Sequence, residues 1–116
     1  MARLVLALSS LDGLQTLQSC ECNKQGEAYI HFWYGSWERT SNLVFAEIIP
    51  ALESAGVSAT GSVEVFNGSL PTARIGFNAT ALEKATAAIE TLVATASGYA
   101  HSSGYSHDRE YKEQAY

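Results

Sequence analysis

Short apolar stretches separated by turn-forming residues make up the first third of the chain. Residues 4–9 form a brief apolar run that includes a β-branched valine, which is typical of a buried strand. Residues 14–22 alternate loosely between polar and apolar positions, and the turn sequence Asn23-Lys24-Gln25-Gly26 separates them from an apolar stretch over 28–34. The pattern predicts a leading strand and then a hairpin over residues 14–34.

A helical pattern follows this hairpin. Apolar residues recur at helical spacing up to about residue 54, Ser41 and Asn42 are suitable N-terminal caps, and Gly56 is a typical stop. Pro50 lies inside the pattern and lacks the amide hydrogen that a helix interior uses. We therefore expect a kink or a change of helix type near Ile49.

The second half of the chain repeats the order of hairpin and helix. Strands are predicted over 59–66 and 72–77, joined by Asn67-Gly68, the strongest short hairpin signal in the sequence. Thr80 and Glu83 then match a capping box at the start of a helix that runs to about Ser97. No residue-level repeat relates this unit to the first.

These elements predict an α+β fold. We expect a single small domain with an antiparallel sheet of about five strands and two helices packed on one face, in the order β-ββα-ββα. Gly61 and Gly76 fall inside predicted strands, where glycine indicates a bulge or a close approach of another segment.

The predicted strand over 28–34 raises the main functional question. Five of the chain's phenylalanine, tryptophan and tyrosine residues lie between residues 29 and 37. In a strand, alternate side chains point to opposite faces, which puts Ala28, Ile30, Phe32 and Tyr34 on one side and Tyr29, His31 and Trp33 on the other. The second side is either covered by another layer, as in a strand buried on both faces, or open to a partner.

Composition narrows the classes of partner. Hydrophobic residues make up 47% and charged residues 16%, which indicates a globular chain, and the net charge is −5. The seven basic residues are scattered, so the sequence shows no surface suited to direct nucleic-acid binding. A mildly acidic surface could instead meet the basic nucleic-acid-binding groove of another protein, although the same charge also serves solubility.

The sequence indicates no catalytic residue, no cofactor motif and no metal site. Cys20 and Cys22 are close enough to share a soft metal, but a closed zinc site needs four ligands, and ordinary reduced cysteines are the simpler interpretation. His31 could act as a base toward either thiol, but no third orienting residue is evident. The sequence therefore favours a protein that is not an enzyme.

The end of the chain has a different composition. Residues 99–116 combine four tyrosines with serine, glycine, histidine and charged residues, which predicts a flexible or docking tail after a domain over residues 1–98. The apolar run near Met1 is too short for a signal peptide or a membrane span, so we expect a cytoplasmic protein that does not enter a membrane.

The preferred hypothesis is a non-catalytic accessory or inhibitor protein that binds another protein through an aromatic and mildly acidic surface. Tyrosine and tryptophan dominate the energetics of such interfaces. The predicted contacts are Tyr29, His31, Trp33, Trp37, Tyr105 and Tyr111.

Two alternatives remain at this stage. One is a small-ligand-binding protein or minor enzyme with an aromatic pocket lined by Trp33, Tyr34 and Phe45. The other is a homodimer that buries the aromatic face of the strand against its own copy.

Overall fold

Two β-hairpins form one antiparallel sheet, and helices precede and follow each hairpin. The computed structural model describes residues 1–65 and 70–95. Its elements, in chain order, are α1 (Ala2–Ser9), β1 (Gln15–Cys20), β2 (Glu27–Trp33), α2 (residues 37–54), β3 (Ala59–Glu64), β4 (Thr72–Asn78), a 3₁₀ turn (Ala79–Ala81) and α3 (residues 82–95).

The hairpins meet along their second strands, which gives the strand order β1-β2-β4-β3. β2 and β4 pair antiparallel, from Glu27 opposite Asn78 to Trp33 opposite Thr72, with Ile30 and Ile75 at the centre. Each hairpin therefore contributes one strand to this central pair, and β1 and β3 form the edges. The pairing of β1 with β2 shifts by one residue near Leu17, where a bulge interrupts this edge.

The α+β class and the antiparallel sheet are confirmed, but the predicted leading strand is wrong. α1 buries Leu4 and Leu8 completely and leaves Leu6 69% exposed. Positions four apart share one side of a helix, whereas a strand would point all three leucines to the same face. The run is too short to separate these periods by itself, and alanine, leucine and arginine favour helix.

As a result, the described residues contain four strands instead of about five, and three helices instead of two. The order is α-ββα-ββα instead of β-ββα-ββα. The ion pair between Arg3 of α1 and Glu90 of α3, at 2.7 Å, links the added helix to the last one.

Helix α2 contains the expected change of helix type. It consists of an α-helical segment (Trp37–Ser41), a π-helical segment (Asn42–Ile48) and a second α-helical segment (Ile49–Ser54). The amide of Ile49 donates to the carbonyl of Val44, five residues earlier, immediately before Pro50. The wider π turn thus lies directly before Pro50, which has no amide hydrogen to donate.

The ends of α2 agree with the sequence pattern only in part. The helix begins earlier than predicted, because the Ser36 hydroxyl, and not Ser41, accepts a hydrogen bond from the Arg39 amide at 3.1 Å. Gly56 follows the end of the helix with a φ of +84°, as expected for a glycine stop.

The last helix is also capped differently from the prediction. The Asn78 side chain accepts a hydrogen bond from the Thr80 amide at 2.9 Å, and the 3₁₀ turn leads from there into α3. The cap residue is therefore Asn78 and not Thr80. The predicted Asn67-Gly68 turn, the tail over 99–116 and the domain end at residue 98 lie outside the described residues.

One core lies between the sheet and the helices. The strands contribute Ala28, Ile30, Phe32, Ala73, Ile75 and Phe77, and the helices contribute Leu4, Leu8, Leu43, Val44, Ile48, Leu52, Ala85, Ile89 and Val93. Gly61 of β3 lets α2 approach closely, because an added Cβ would lie 2.7 Å from Val44 Cγ1 and 2.9 Å from Ile49 Cδ1. Within residues 1–65 and 70–95, no helix has the length and apolar character that crossing a membrane requires.

Candidate functional site on the open sheet face

The side of the sheet away from the core carries the aromatic row of β2. Ala28, Ile30 and Phe32 are buried, while the residues between them are partly exposed. We call this second side the open face. Its members on the two central strands are Glu27, Tyr29, His31 and Trp33 of β2 and Thr72, Arg74, Gly76 and Asn78 of β4.

An ion pair crosses the centre of the open face. Arg74 donates to both carboxylate oxygens of Glu27, at 2.6 Å from Nη2 to Oε1 and 3.3 Å from Nη1 to Oε2. The pair lies directly over Gly76, where an added Cβ would stand 2.5 Å from Glu27 Oε2 and 2.8 Å from Arg74 Nη1. Gly76 is therefore the second glycine required by a close approach.

This hydrogen bonding changes the proton affinity of both partners. The bond from Arg74 is the main reason that the pKa of Glu27 lies below its usual value, and the same bond raises the pKa of Arg74. Both side chains are about one-third exposed, so water screens the pair. Its main effect is to fix two long side chains in place and to cancel their charges.

The turn between β1 and β2 positions the carboxylate. The Asn23 side-chain oxygen accepts hydrogen bonds from the amides of Gln25 and Glu27, at 3.0 and 2.8 Å, and its nitrogen donates to Glu27 Oε1 at 3.2 Å. Gly26 completes the turn with a φ of +75°. The predicted turn over residues 23–26 is thus confirmed, and its asparagine also orients a residue of the open face.

The guanidinium of Arg74 also stacks on the aromatic row. Its Cζ lies 4.8 Å from the centre of the Tyr29 ring, and the rings of Tyr29 and His31 are 5.3 Å apart at an angle of 43°. Cation–π and tilted aromatic contacts of this kind stabilise ring orientation. Arg74 therefore connects Glu27, Tyr29 and His31 into one fixed cluster.

The surroundings of His31 disfavour its protonated form. Burial is the main reason that its pKa is lowered, the positive charge of Arg74 adds to the effect, and Glu64 on β3 opposes it. Its Nε2 atom is buried and has no hydrogen-bond partner among the described residues. The imidazole thus packs beside the Tyr29 ring with one nitrogen atom shielded from water.

Trp33 completes the row at the other end of β2. Its indole Nε1 donates to the Thr72 hydroxyl on β4 at 3.2 Å. The polar atom of the indole is consequently occupied within the sheet, and the remaining ring surface is available for a contact.

The structure thus brings together three of the six predicted contact residues, Tyr29, His31 and Trp33. Trp37 instead lies in the first turn of α2, where it is 49% exposed. Tyr105 and Tyr111 lie outside the described residues.

Three members of the open face were not identified from the sequence, namely Glu27, Thr72 and Arg74, and Gly76 was identified only as a position of close approach. The alternation Thr72-Ala-Arg-Ile-Gly-Phe77 already places Thr72, Arg74 and Gly76 on one side of a strand. Pairing of β4 with the aromatic strand was the missing information, because the sequence does not state which strands are neighbours.

The cysteines show no sign of a shared metal site. Cys20 pairs with Tyr29 at the end of β1, and Cys22 is exposed beyond the strand, with both thiols free. Among the described residues, no group of three or more histidine, cysteine, aspartate or glutamate side chains is arranged to hold a metal ion.

The residues of the proposed aromatic pocket lie in different surroundings. Trp33 belongs to the open face, Tyr34 packs against the core with the Arg39 guanidinium 4.1 Å above its ring, and Phe45 of α2 is 51% exposed. A depression of about 420 Å³ does occur at the end of the sheet near Glu27, lined by Gln25, Gly26, Glu27, Ser58, Thr60, Gly76, Phe77 and Asn78. None of the three residues of the predicted aromatic pocket lines this depression.

Comparison of the chain with protein-family models, with curated proteins and with solved structures finds no match.

Proposed function

We propose that this chain is a non-catalytic protein-binding domain, an accessory factor or inhibitor of the cytoplasm, that uses the open face to bind another protein. The observation that carries the proposal is the contrast along β2. Alternate residues are fully buried, while Tyr29, His31 and Trp33 are only partly covered by their neighbours in the sheet. Large aromatic rings contribute most when they are dehydrated, and a partner would complete their burial.

The rigidity of the cluster supports recognition of a protein surface. Arg74 is fixed by two hydrogen bonds to Glu27 and stacks on Tyr29, and Trp33 is held by Thr72. Side chains that are already ordered lose little conformational entropy on binding. Tyrosine, tryptophan and arginine are also the residues that most often supply the binding energy of protein interfaces.

The charge of the open face bears on the kind of target. Arg74 neutralises Glu27, so the aromatic centre of the face carries little net charge. If the target has a basic nucleic-acid-binding groove, the carboxylates around the centre of the open face would contact it, such as Glu64 of the edge strand β3. That form of inhibition predicts binding that weakens strongly as salt rises, whereas an aromatic contact depends less on salt.

The test is a matched pair of alanine variants in an affinity capture from the native cell extract. Trp33→Ala removes an aromatic ring from the open face, and Phe45→Ala removes one from the exposed surface of α2. We expect one captured protein to be lost with Trp33→Ala and retained with Phe45→Ala. With the purified partner, Trp33→Ala should weaken binding by about 2 kcal/mol or more.

Thermal melting of both variants is the control for folding. The proposal requires Trp33→Ala to unfold cooperatively, because a residue that serves only as a contact is not needed for folding. Loss of that melt, or equal capture by both variants, would show that Trp33 serves the fold and not a partner.

A further inference from the structure

We propose that the open face is self-complementary and that a second copy of this chain covers it in a face-to-face dimer. The inference rests on the proposed function, since it takes the open face to be a protein-binding surface and names one occupant. The two copies would pack their sheets against each other, with the aromatic rows of the two β2 strands at the centre and the helices on the outside.

The first argument is that the charged pair and the indole at the centre are already hydrogen-bonded within one copy. Arg74 and Glu27 bond to each other, and the Trp33 indole donates to Thr72. Removing paired groups from water costs less than removing unpaired ones, and His31 Nε2, which has no partner among the described residues, is already buried, so covering it adds no further dehydration. The face can therefore be dehydrated by a flat surface that offers no matching charges, and a second open face is such a surface.

The second argument is electrostatic. The chain has a net charge of −5, so two copies repel each other in most orientations. At the centre of the open face this repulsion is reduced, because Arg74 cancels Glu27, and the carboxylate of Glu64 lies at the β3 edge of the face. Contact through the helix side would instead bring together carboxylates such as Glu47 and Glu53 of α2.

The third argument is the size of the face. Strands lie about 4.8 Å apart and advance about 3.3 Å per residue, so four strands of this length outline roughly 19 by 22 Å, or about 400 Å² per copy. Two copies give roughly 800 Å² for the flat outline of the sheets. Protruding side chains add accessible surface to this outline, which brings the buried area close to the ~1,000 Å² that a specific interface needs. An interface at this lower limit should dissociate on dilution and so leave the face free for another partner.

The experiment is sedimentation velocity of the full chain from about 1 to about 200 µM. We expect the mass to rise from 12.5 kDa toward twice that value with concentration. Trp33→Glu, which adds a carboxylate to the open face of each copy, should raise the dissociation constant by ~10-fold or more. Phe45→Glu makes the same chemical change on α2 and should leave the constant within about twofold of wild type.

A third variant tests the open face even if Trp33→Glu does not fold. Gln18 is exposed on β1 opposite His31, so Gln18→Glu adds a carboxylate to the face without removing a buried group. If Trp33→Glu fails to fold, dimer weakening by Gln18→Glu supports the inference, and an unchanged dissociation constant overturns it.

Two other results would also overturn the dimer. A wild-type chain that stays monomeric up to the highest concentration leaves the open face without a second copy, and the proposed binding of a different protein is unaffected. A dimer that is weakened by Phe45→Glu and not by the open-face variants places self-association on the helices. The proposed function itself fails separately, through equal capture of a partner by Trp33→Ala and Phe45→Ala.

Discussion

The two faces of the sheet are built from the same strands but have opposite character. On the covered face, Ile30, Phe32 and Ile75 are fully buried beneath the helices. On the open face, Tyr29, His31 and Arg74 remain partly exposed and are held by an ion pair and ring contacts. One face is fixed by apolar packing against another layer, whereas the other is fixed by polar and aromatic contacts within the sheet.

Because of this difference, residues of β2 that point to the covered face contribute mainly to stability, whereas those that point to the open face are available for contacts. A change on the covered face leaves a void or a clash between two layers that have little room to adjust. A change on the open face meets side chains whose far ends can move into solvent. Neighbouring residues of β2 should therefore respond to mutation in different ways.

The largest expected effect comes from truncating adjacent aromatic residues. Phe32→Ala removes a fully buried ring and should lower the free energy of unfolding by about 3–5 kcal/mol. Trp33→Ala removes a larger ring from the open face and should cost only about 1–2 kcal/mol, because the site stays in contact with water. Urea denaturation of both variants measures the comparison. An equal loss for Trp33→Ala would mean that the open face is as much a part of the core as the covered face.

An intermediate effect is expected from the two glycines that lie on opposite faces. Gly61→Ala would press a methyl group against Val44 and Ile49 and should cost about 1–3 kcal/mol, since the side chains between the layers must shift. Gly76→Ala meets only the ends of Glu27 and Arg74, which can move apart, so the cost should be at most about 1 kcal/mol.

The two glycine variants should also differ in the pKa of Glu27, which is measured independently of stability. When Gly76→Ala separates the ion pair, the pKa of Glu27 should return upward toward its ordinary value, because it loses the hydrogen bonds from Arg74. Gly61→Ala should leave that pKa unchanged. Carboxylate titration by nuclear magnetic resonance decides this, and an unchanged Glu27 in Gly76→Ala would contradict the described geometry.

The smallest effect concerns pH. The pKa of His31 is lowered in the folded state from its ordinary value of 6.5, mainly by burial. Below about pH 6.5 the unfolded chain therefore takes up the proton first, and the free energy of unfolding falls until the pH reaches the lowered folded value. His31→Gln removes this contribution, so the variant should lose less stability than wild type on acidification.

Denaturant melts of both proteins between about pH 7.5 and about pH 5 measure that difference. The two stability curves should be parallel above the ordinary histidine pKa and should converge or cross below it. Curves that stay parallel over the whole interval would show that His31 is not shielded from water on the open face.

Much of the fold was predictable because the pattern is local. The hairpin turn that ends at Gly26 follows from turn chemistry, and the positions of β2 and β4 follow from strand alternation. The change of helix type before Pro50 follows from its missing amide hydrogen. The first helix was not predictable, because a run as short as residues 4–8 satisfies both a strand and a helix. Whether this segment forms a helix or a strand depends on how Leu4 and Leu8 pack against a core that distant residues form.

The sequence by itself determined that alternate residues of the aromatic strand face opposite ways, since that follows from the geometry of any strand. Only the tertiary structure decided which side is covered, and it did so by placing all described helices on the side of Phe32. It also decided that Arg74, which is 43 residues beyond His31 in the chain, lies opposite it in the sheet. Strand pairing is a contact between distant segments, so its outcome depends on how the whole chain buries its apolar surface and not on any local pattern.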